Sequence, residues 1–231
     1  MESPPRPRST RDRPAKPPLS EDVILDVALR ILRKEGLEAV TMRRLASELD
    51  TGPASLYVYI SGRDALREAM LDRVAGMIEL EEPDPARWRE QVHRLAEEML
   101  ATMEAHPGIA EVAVANPLTG ERSLLIADNL LALLLAGGVA AQDAAWACDI
   151  IPLITTASAV ETAVYQEREQ AGFAESDFHA HLHEVFSSLP VSRFPHIVAL
   201  SREMINGDGE ERFAFAIDVF LDGLAARAQR S

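Results

Sequence analysis

Cysteine is almost missing from this chain of 231 residues: Cys148 is the single one. No internal disulfide can therefore staple the fold, and the usage fits a reducing compartment. Set in an apolar helical stretch, Cys148 reads as a buried core thiol rather than a reactive one. Aromatic residues are also scarce, at 5%, which leaves aliphatic side chains to build the core. No run of eighteen uncharged apolar residues has the flanks of a membrane span, and the start of the chain lacks the apolar segment of an export signal. The sequence accordingly reads as soluble and cytoplasmic, with no membrane partner. No alternating stretch bounded by turn pairs suggests a strand. A glycine-rich phosphate loop, a nucleophile elbow and a His-Glu-x-x-His run are absent as well, so neither catalysis nor a cofactor is expected.

What is present is 47% hydrophobic composition, enough to bury a sizeable core, and a net charge of -14. The charge is unevenly spread. Residues 1–75 are close to neutral, whereas the acidic excess lies downstream. A near-neutral head with basic spots on an acidic body suits a protein that meets a polyanion with one end only. Residues 1–18 combine Pro4, Pro5, Pro7, Pro14, Pro17 and Pro18 with Arg6, Arg8, Arg11, Arg13 and Lys16, a composition of a disordered arm. Such an arm can remain a tail or lay arginines along a minor groove.

From Leu19 onward the periodicity is helical, and the expected fold class is all-α: a helix-turn-helix head over 19–80 and a larger helical body over 81–231. Ser20 caps a first helix with Glu21 and Asp22 in its opening turn, and Arg33, Lys34 and Gly36 close it. Thr41 caps a second, short helix; Asp50 follows it where a left-handed residue is needed. Pro53 opens a third helix, expected to run to about Ile60, and Gly62 opens a fourth. Pro83 and Pro85 mark the boundary of the head. Beyond it, helices are expected at 85–105, 107–115, 120–136, 141–169, 174–187, 193–205 and 210–228.

Two short helices joined by a tight turn, with a longer helix before them, describe a helix-turn-helix whose second member can enter a major groove. The run Thr41-Met42-Arg43-Arg44-Leu45-Ala46, then Ser55-Leu56-Tyr57-Val58-Tyr59-Ile60, then Arg63-Asp64-Ala65-Leu66 resembles the signature of the tetracycline-repressor (TetR) family. The resemblance covers about residues 19–75. It implies three DNA-binding helices, a linker helix and a variable helical domain for ligand binding and dimerisation. Asp50 stands where that family usually has glycine, and Gly52 where a capping Ser or Thr is common.

Leu56 and Ile60 at i,i+4 anchor the third helix inward, leaving Pro53, Ala54, Ser55, Tyr57, Val58 and Tyr59 toward solvent. Tyrosine hydroxyls can bond phosphates, Ser55 a base or phosphate, and Val58 a thymine methyl, although one of the tyrosines could instead pack the small domain. Thr41, Arg43 and Arg63 lie at helix starts, where the resemblance implies phosphate contacts. The expected partner is a palindromic double-stranded operator read by a homodimer and released by a small-molecule effector. A helical interaction protein without sequence-specific DNA binding is the alternative. A winged-helix regulator is disfavoured, since Arg63 to Ile78 is amphipathic helix rather than hairpin.

The body resembles the tetracycline-repressor subclass through His106-Pro107-Gly108, Leu134-Leu135-Ala136-Gly137-Gly138 and Phe213 to Leu224. Phe213, Ile217, Phe220, Leu221 and Leu224 form one apolar face of the last helix, with Phe215 and Val219 outside it, and are expected at a dimer interface. Polar residues in apolar helices, Asn129, Trp146, Thr155, Thr156, Ser158, Glu161 and Tyr165, are candidates for an internal pocket, though a helical Thr often bonds its own backbone. Glu161 falls where the tetracycline sensors offer a glutamate toward magnesium, but their histidine ligand corresponds to Val112 or Ala113, so no magnesium–tetracycline ligand is expected. His179 and His183 at i,i+4, with His181, could share a metal ion; no sulfur or acidic partner completes a closed geometry, and no metal is assigned.

Overall fold

The computed structural model describes residues 18–115, 119–172 and 175–230; residues 1–17, which hold nearly all of the expected arm, lie outside them. Among the described residues every regular element is helical: α1 (Glu21–Glu35), α2 (Met42–Glu48), α3 (Pro53–Leu56), α4 (Arg63–Ala75), α5 (Trp88–Glu104), α6 (Ile109–Ala115), α7 (Glu121–Ala136), α8 (Ala141–Gln170), α9 (Glu175–Ser188), α10 (Pro195–Ala199) and α11 (Gly209–Ala228), plus a 3-10 turn at Leu37–Ala39.

The caps follow local chemistry. The Ser20 hydroxyl accepts the Val23 N–H, Thr41 accepts the Arg44 N–H at 3.1 Å, and Asp208 and Glu211 form a reciprocal capping box at the start of α11. Two expectations need correction. The third helix ends at Leu56, and a turn carries the chain on to Ile60. The helix expected at 193–205 shrinks to Pro195–Ala199; Pro195 starts it, but the following residues break into turns that reach Gly207 at φ 90°.

Two hydrophobic clusters meet along α4. Ile24, Leu25, Ala28, Leu32, Leu45, Leu56, Leu66, Met70, Leu71 and Val74 make the first, which also takes in Ile109 and Val112 of α6. The second is built from α5, α7, α8 and α11 and includes Ala75 at the end of α4. Arg73 of α4 reaches back to Asp22 and Asp26 of α1 at 3.0 and 3.2 Å. Gly108 shows how close the two parts approach: it holds φ 89°, and a Cβ there would lie 2.7 Å from Leu32 Cδ1. The head is therefore fastened to the body by side chains buried in a shared core, in addition to the connecting helix.

Helix α8 is long and apolar enough to cross a membrane. Ala144, Ala147, Ile151, Thr155 and Ala159 are nonetheless buried on one side of it, in the bundle formed with α5, α6, α7 and α11. The opposite side leaves Trp146, Leu153 and Val164 exposed.

Candidate nucleic-acid interface

The α2–α3 unit is set by a turn that needs one unusual backbone. Asp50 takes φ 50°, the sole positive φ outside glycine among the described residues. An aspartate tolerates that conformation at modest cost, so the glycine-less turn survives. The Thr51 N–H then closes on the Ala46 carbonyl at 2.9 Å. Pro53 sits in the first turn of α3, where its missing N–H leaves no gap. Leu56 and Ile60 are fully buried, and they turn Tyr57, Val58 and Tyr59 outward, at 53%, 80% and 42% exposure. An outward apolar and phenolic triplet is poorly explained by packing within one chain and suits a surface that closes on a partner.

Charge around the triplet is sorted. Arg44 is committed to the head, bonding Glu35 at 2.8 Å and Glu48 at 2.6 Å. Hydrogen bonding by Arg44 holds the Glu35 carboxyl below its usual range. Arg43, one residue earlier, is exposed and makes no ion pair among the described residues. Arg63 lies 3.5 Å from Glu38, both side chains largely in water; such a pair is weak and readily exchanged for a phosphate.

Behind the head, α4, α5, α6, α7 and α8 line an open-sided cavity of about 440 Å³, with the exposed Val114 and Leu153 at its rim. Leu71, Val74 and Ile78 come from α4 and the residues just after it, Met99 and Met103 from α5, Ser123, Ile126 and Leu130 from α7, and Cys148, Leu153 and Thr156 from α8. The wall is mainly apolar with a few hydroxyls, the usual make-up of a small-molecule site. At one edge α7 begins on Gly120, which offers no side-chain cap; Asp72 of α4 supplies one from outside, accepting the Ser123 N–H at 3.0 Å. A Cβ at Gly120 would fall 2.3 Å from that carboxylate.

The sequence profile of bacterial regulatory proteins of the tetR family matches residues 24–70, and that of the tetracyclin repressor-like C-terminal domain matches residues 82–228. This chain belongs to the TetR family. It is a helix-turn-helix DNA-binding transcriptional repressor with a C-terminal ligand-binding domain. Among similar proteins is the HTH-type transcriptional repressor DrrR1 of Streptomyces coeruleorubidus, 31% identical over 216 residues, covering 90% of this chain and 78% of that one. The crystal structure of apo ActR from Streptomyces coelicolor superposes with a TM-score of 0.85 at 34% identity, covering 92% of this chain and 98% of ActR. ActR in complex with actinorhodin gives 0.84 at 37% identity, covering 91% and 97%.

In this TetR chain the expected DNA-facing residues Thr41, Arg43, Pro53, Ala54, Ser55, Tyr57, Val58, Tyr59 and Arg63 are all exposed. The body departs from expectation. Of the pocket candidates only Thr156 lines the cavity beside α4. Glu161 and Tyr165 line a separate groove near α9 and the start of α11. Thr155 is buried and satisfied by the Ile151 carbonyl at 2.9 Å, Ser158 lines neither space, and Trp146 points out at 58% exposure. Asn129 donates to the Glu81 carbonyl at 2.9 Å while its Oδ1 is buried without a partner among the described residues.

The interface expectation is corrected too. Phe213, Ile217, Leu221 and Leu224 are buried inside the chain's own core and Phe220 is half-buried, so that face of α11 is already used. Phe215 and Val219, at 69% and 53% exposure, are the ones left uncovered. His183 Nδ1 lies 3.4 Å from Ser187 Oγ, and His181 borders the α9 groove. Among the described residues no three metal-ligating side chains come together. Sequence reasoning missed Asp72 and the α5 and α7 cavity walls; Ser123, a hydroxyl in the first turn of an otherwise apolar helix, was the one visible signal.

Proposed function

We propose that the chain works as a homodimeric repressor of a palindromic operator and lets go when a small molecule fills the cavity in its body. The head over 19–80 reads DNA and the body over 81–231 pairs and senses. Each α3 lies in a major groove, the two copies about 34–36 Å apart to match half-sites one helical turn apart. Tyr57 and Tyr59 bond phosphates, Val58 meets a thymine methyl, and Thr41, Pro53, Ala54 and Ser55 complete the contact face. Arg43 and Arg63 neutralise backbone phosphates. The second copy covers Phe215 and Val219 of α11 with Trp146, Leu153 and Val164 of α8, an exposed apolar surface on two helices that pack together.

The observation that carries the reading is the double use of α4. Its Leu66, Met70, Leu71 and Val74 are core residues of the head, while Leu71, Val74 and Ala75 also face the cavity. A molecule that pushes on this wall moves the head through Arg73 and the shared core. A coupling of about 1–3 kcal/mol between the two sites would lower operator affinity roughly 5- to 150-fold. ActR, similar over nearly the whole chain, has been crystallised with a ligand, which supports a sensing body here.

Footprinting across the chain's own upstream DNA, with sedimentation of the complex, tests this. A protected dyad bound by two chains is the expected result. Protection nowhere in genomic DNA at low salt, or binding by single chains, would overturn it.

A further inference from the structure

Three hydroxyls line the cavity, those of Thr102, Ser123 and Thr156; Thr102 is half-buried, and the other two belong to buried residues. Ser123 and Thr156 are 6% and 7% exposed. The Ser123 backbone N–H is held by Asp72, yet among the described residues neither side-chain hydroxyl makes a hydrogen bond. Thr155 gives the contrast: one residue away, it bonds the carbonyl one turn back, the ordinary way for a helical threonine to satisfy itself. Neither the Ser123 nor the Thr156 oxygen is sealed off, since among the described residues Asn129 Oδ1 is the buried side-chain atom left without a partner; both hydroxyls open onto the cavity, where water or a ligand can meet them. These two lie on different walls, one on α7 and one on α8, facing the same space.

The wall is equally informative in charge. Among the described residues it contains no lysine, arginine or histidine, and its ionisable side chains are Cys148 and the exposed Asp149. Burial, with Asp149 adding to it, pushes the Cys148 thiol up, so it stays protonated, and its Sγ leans on the Ala127 carbonyl. An anion entering this space would lose its hydration with no cation to replace it.

We propose that the effector is an uncharged, largely apolar molecule bearing an oxygen function, and that the Ser123 and Thr156 hydroxyls recognise that oxygen. The inference rests on the reading of this cavity as the effector site. It names two specificity-determining residues and a ligand class: neutral alcohols, ketones or phenols of a size that fits about 440 Å³.

The test uses ring-matched fluorescent probes on the whole protein: pyrene, 1-pyrenemethanol, 1-pyrenesulfonate and 1-pyrenemethylamine. 1-Pyrenemethanol is expected to bind at least tenfold more tightly than either charged probe. Ser123→Ala and Thr156→Val, both close to isosteric, are expected to weaken it by about 2- to 13-fold in at least one case, the worth of one neutral hydrogen bond. Neither change should alter pyrene binding. Location is read separately in the unmodified protein, because Cys148 is the only cysteine: bound 1-pyrenemethanol should slow its alkylation by N-ethylmaleimide. Preference for a charged probe, or indifference to both substitutions, with Cys148 protected, would overturn this inference and leave the cavity reading intact. Binding without protection, or binding by none of the probes, would overturn the cavity reading itself.

Discussion

Replacing Gly108 with alanine perturbs the junction between body and head at a single atom. Two costs add. An L residue at φ 89° is strained by about 1–2 kcal/mol, and the new Cβ would lie 2.7 Å from Leu32 Cδ1, in a side chain that is 1% exposed and cannot swing away. Overpacking of that kind costs about 1–3 kcal/mol. The sum, about 2–5 kcal/mol, corresponds to a fall in Tm of about 4–20 °C, at roughly 2–4 °C per kcal/mol for a chain of this size. Leu32→Val, which removes the clashing atom, separates the terms. In that background Gly108→Ala should cost only the backbone part, giving a coupling of about 1–3 kcal/mol in a double-mutant cycle. Thermal unfolding is to be followed at one fixed protein concentration, because association shifts Tm. Equal costs in both backgrounds would refute the reasoning and mean that the body does not press on α1 as described.

Phe215→Asp on the exposed side of α11 should leave circular dichroism intact while shifting sedimentation toward the monomer and weakening operator binding; Leu221→Asp, in the core, should instead unfold the chain. Thr41→Ala removes the acceptor for the Arg44 N–H, and should lower stability by about 0.5–2 kcal/mol in a denaturant titration. Asp143 pairs with Arg227, whose hydrogen bond depresses its carboxyl, so the stabilisation exists above the ordinary carboxylate range and disappears as pH falls through the depressed value. Asp143→Asn should therefore melt below the parent protein near neutral pH, with the gap closing under acid conditions below about pH 4.

The head was legible because its signals are local. Ser20, Thr41 and Pro53 each act within a few residues of themselves, and Leu56 and Ile60 point inward by helical spacing alone. Asp50 was readable for the same reason. The body was less legible, since its surfaces are assembled from segments far apart in the chain. An apolar stripe on α11 looks the same whether a neighbouring helix or a second copy covers it, and Phe213, Ile217, Leu221 and Leu224 turned out to meet their own chain. Polarity was a poor guide to the cavity: most of its wall is aliphatic or Met, and Trp146, a polar group in an apolar helix, faces outward. Asp72 could not be found from sequence, as its partner Ser123 is 51 residues away and offers only a backbone N–H.

The most direct test of the central claim is fluorescence anisotropy of operator binding across a salt series for the parent protein, Tyr59→Ala and Arg63→Ala. The expected result is a site-preferring, salt-dependent interaction that Tyr59→Ala abolishes, and that Arg63→Ala weakens with a salt slope shallower by about one counterion. Undiminished binding by both variants would contradict it, because the exposed residues from α3 to the start of α4 would then not be the surface that meets DNA.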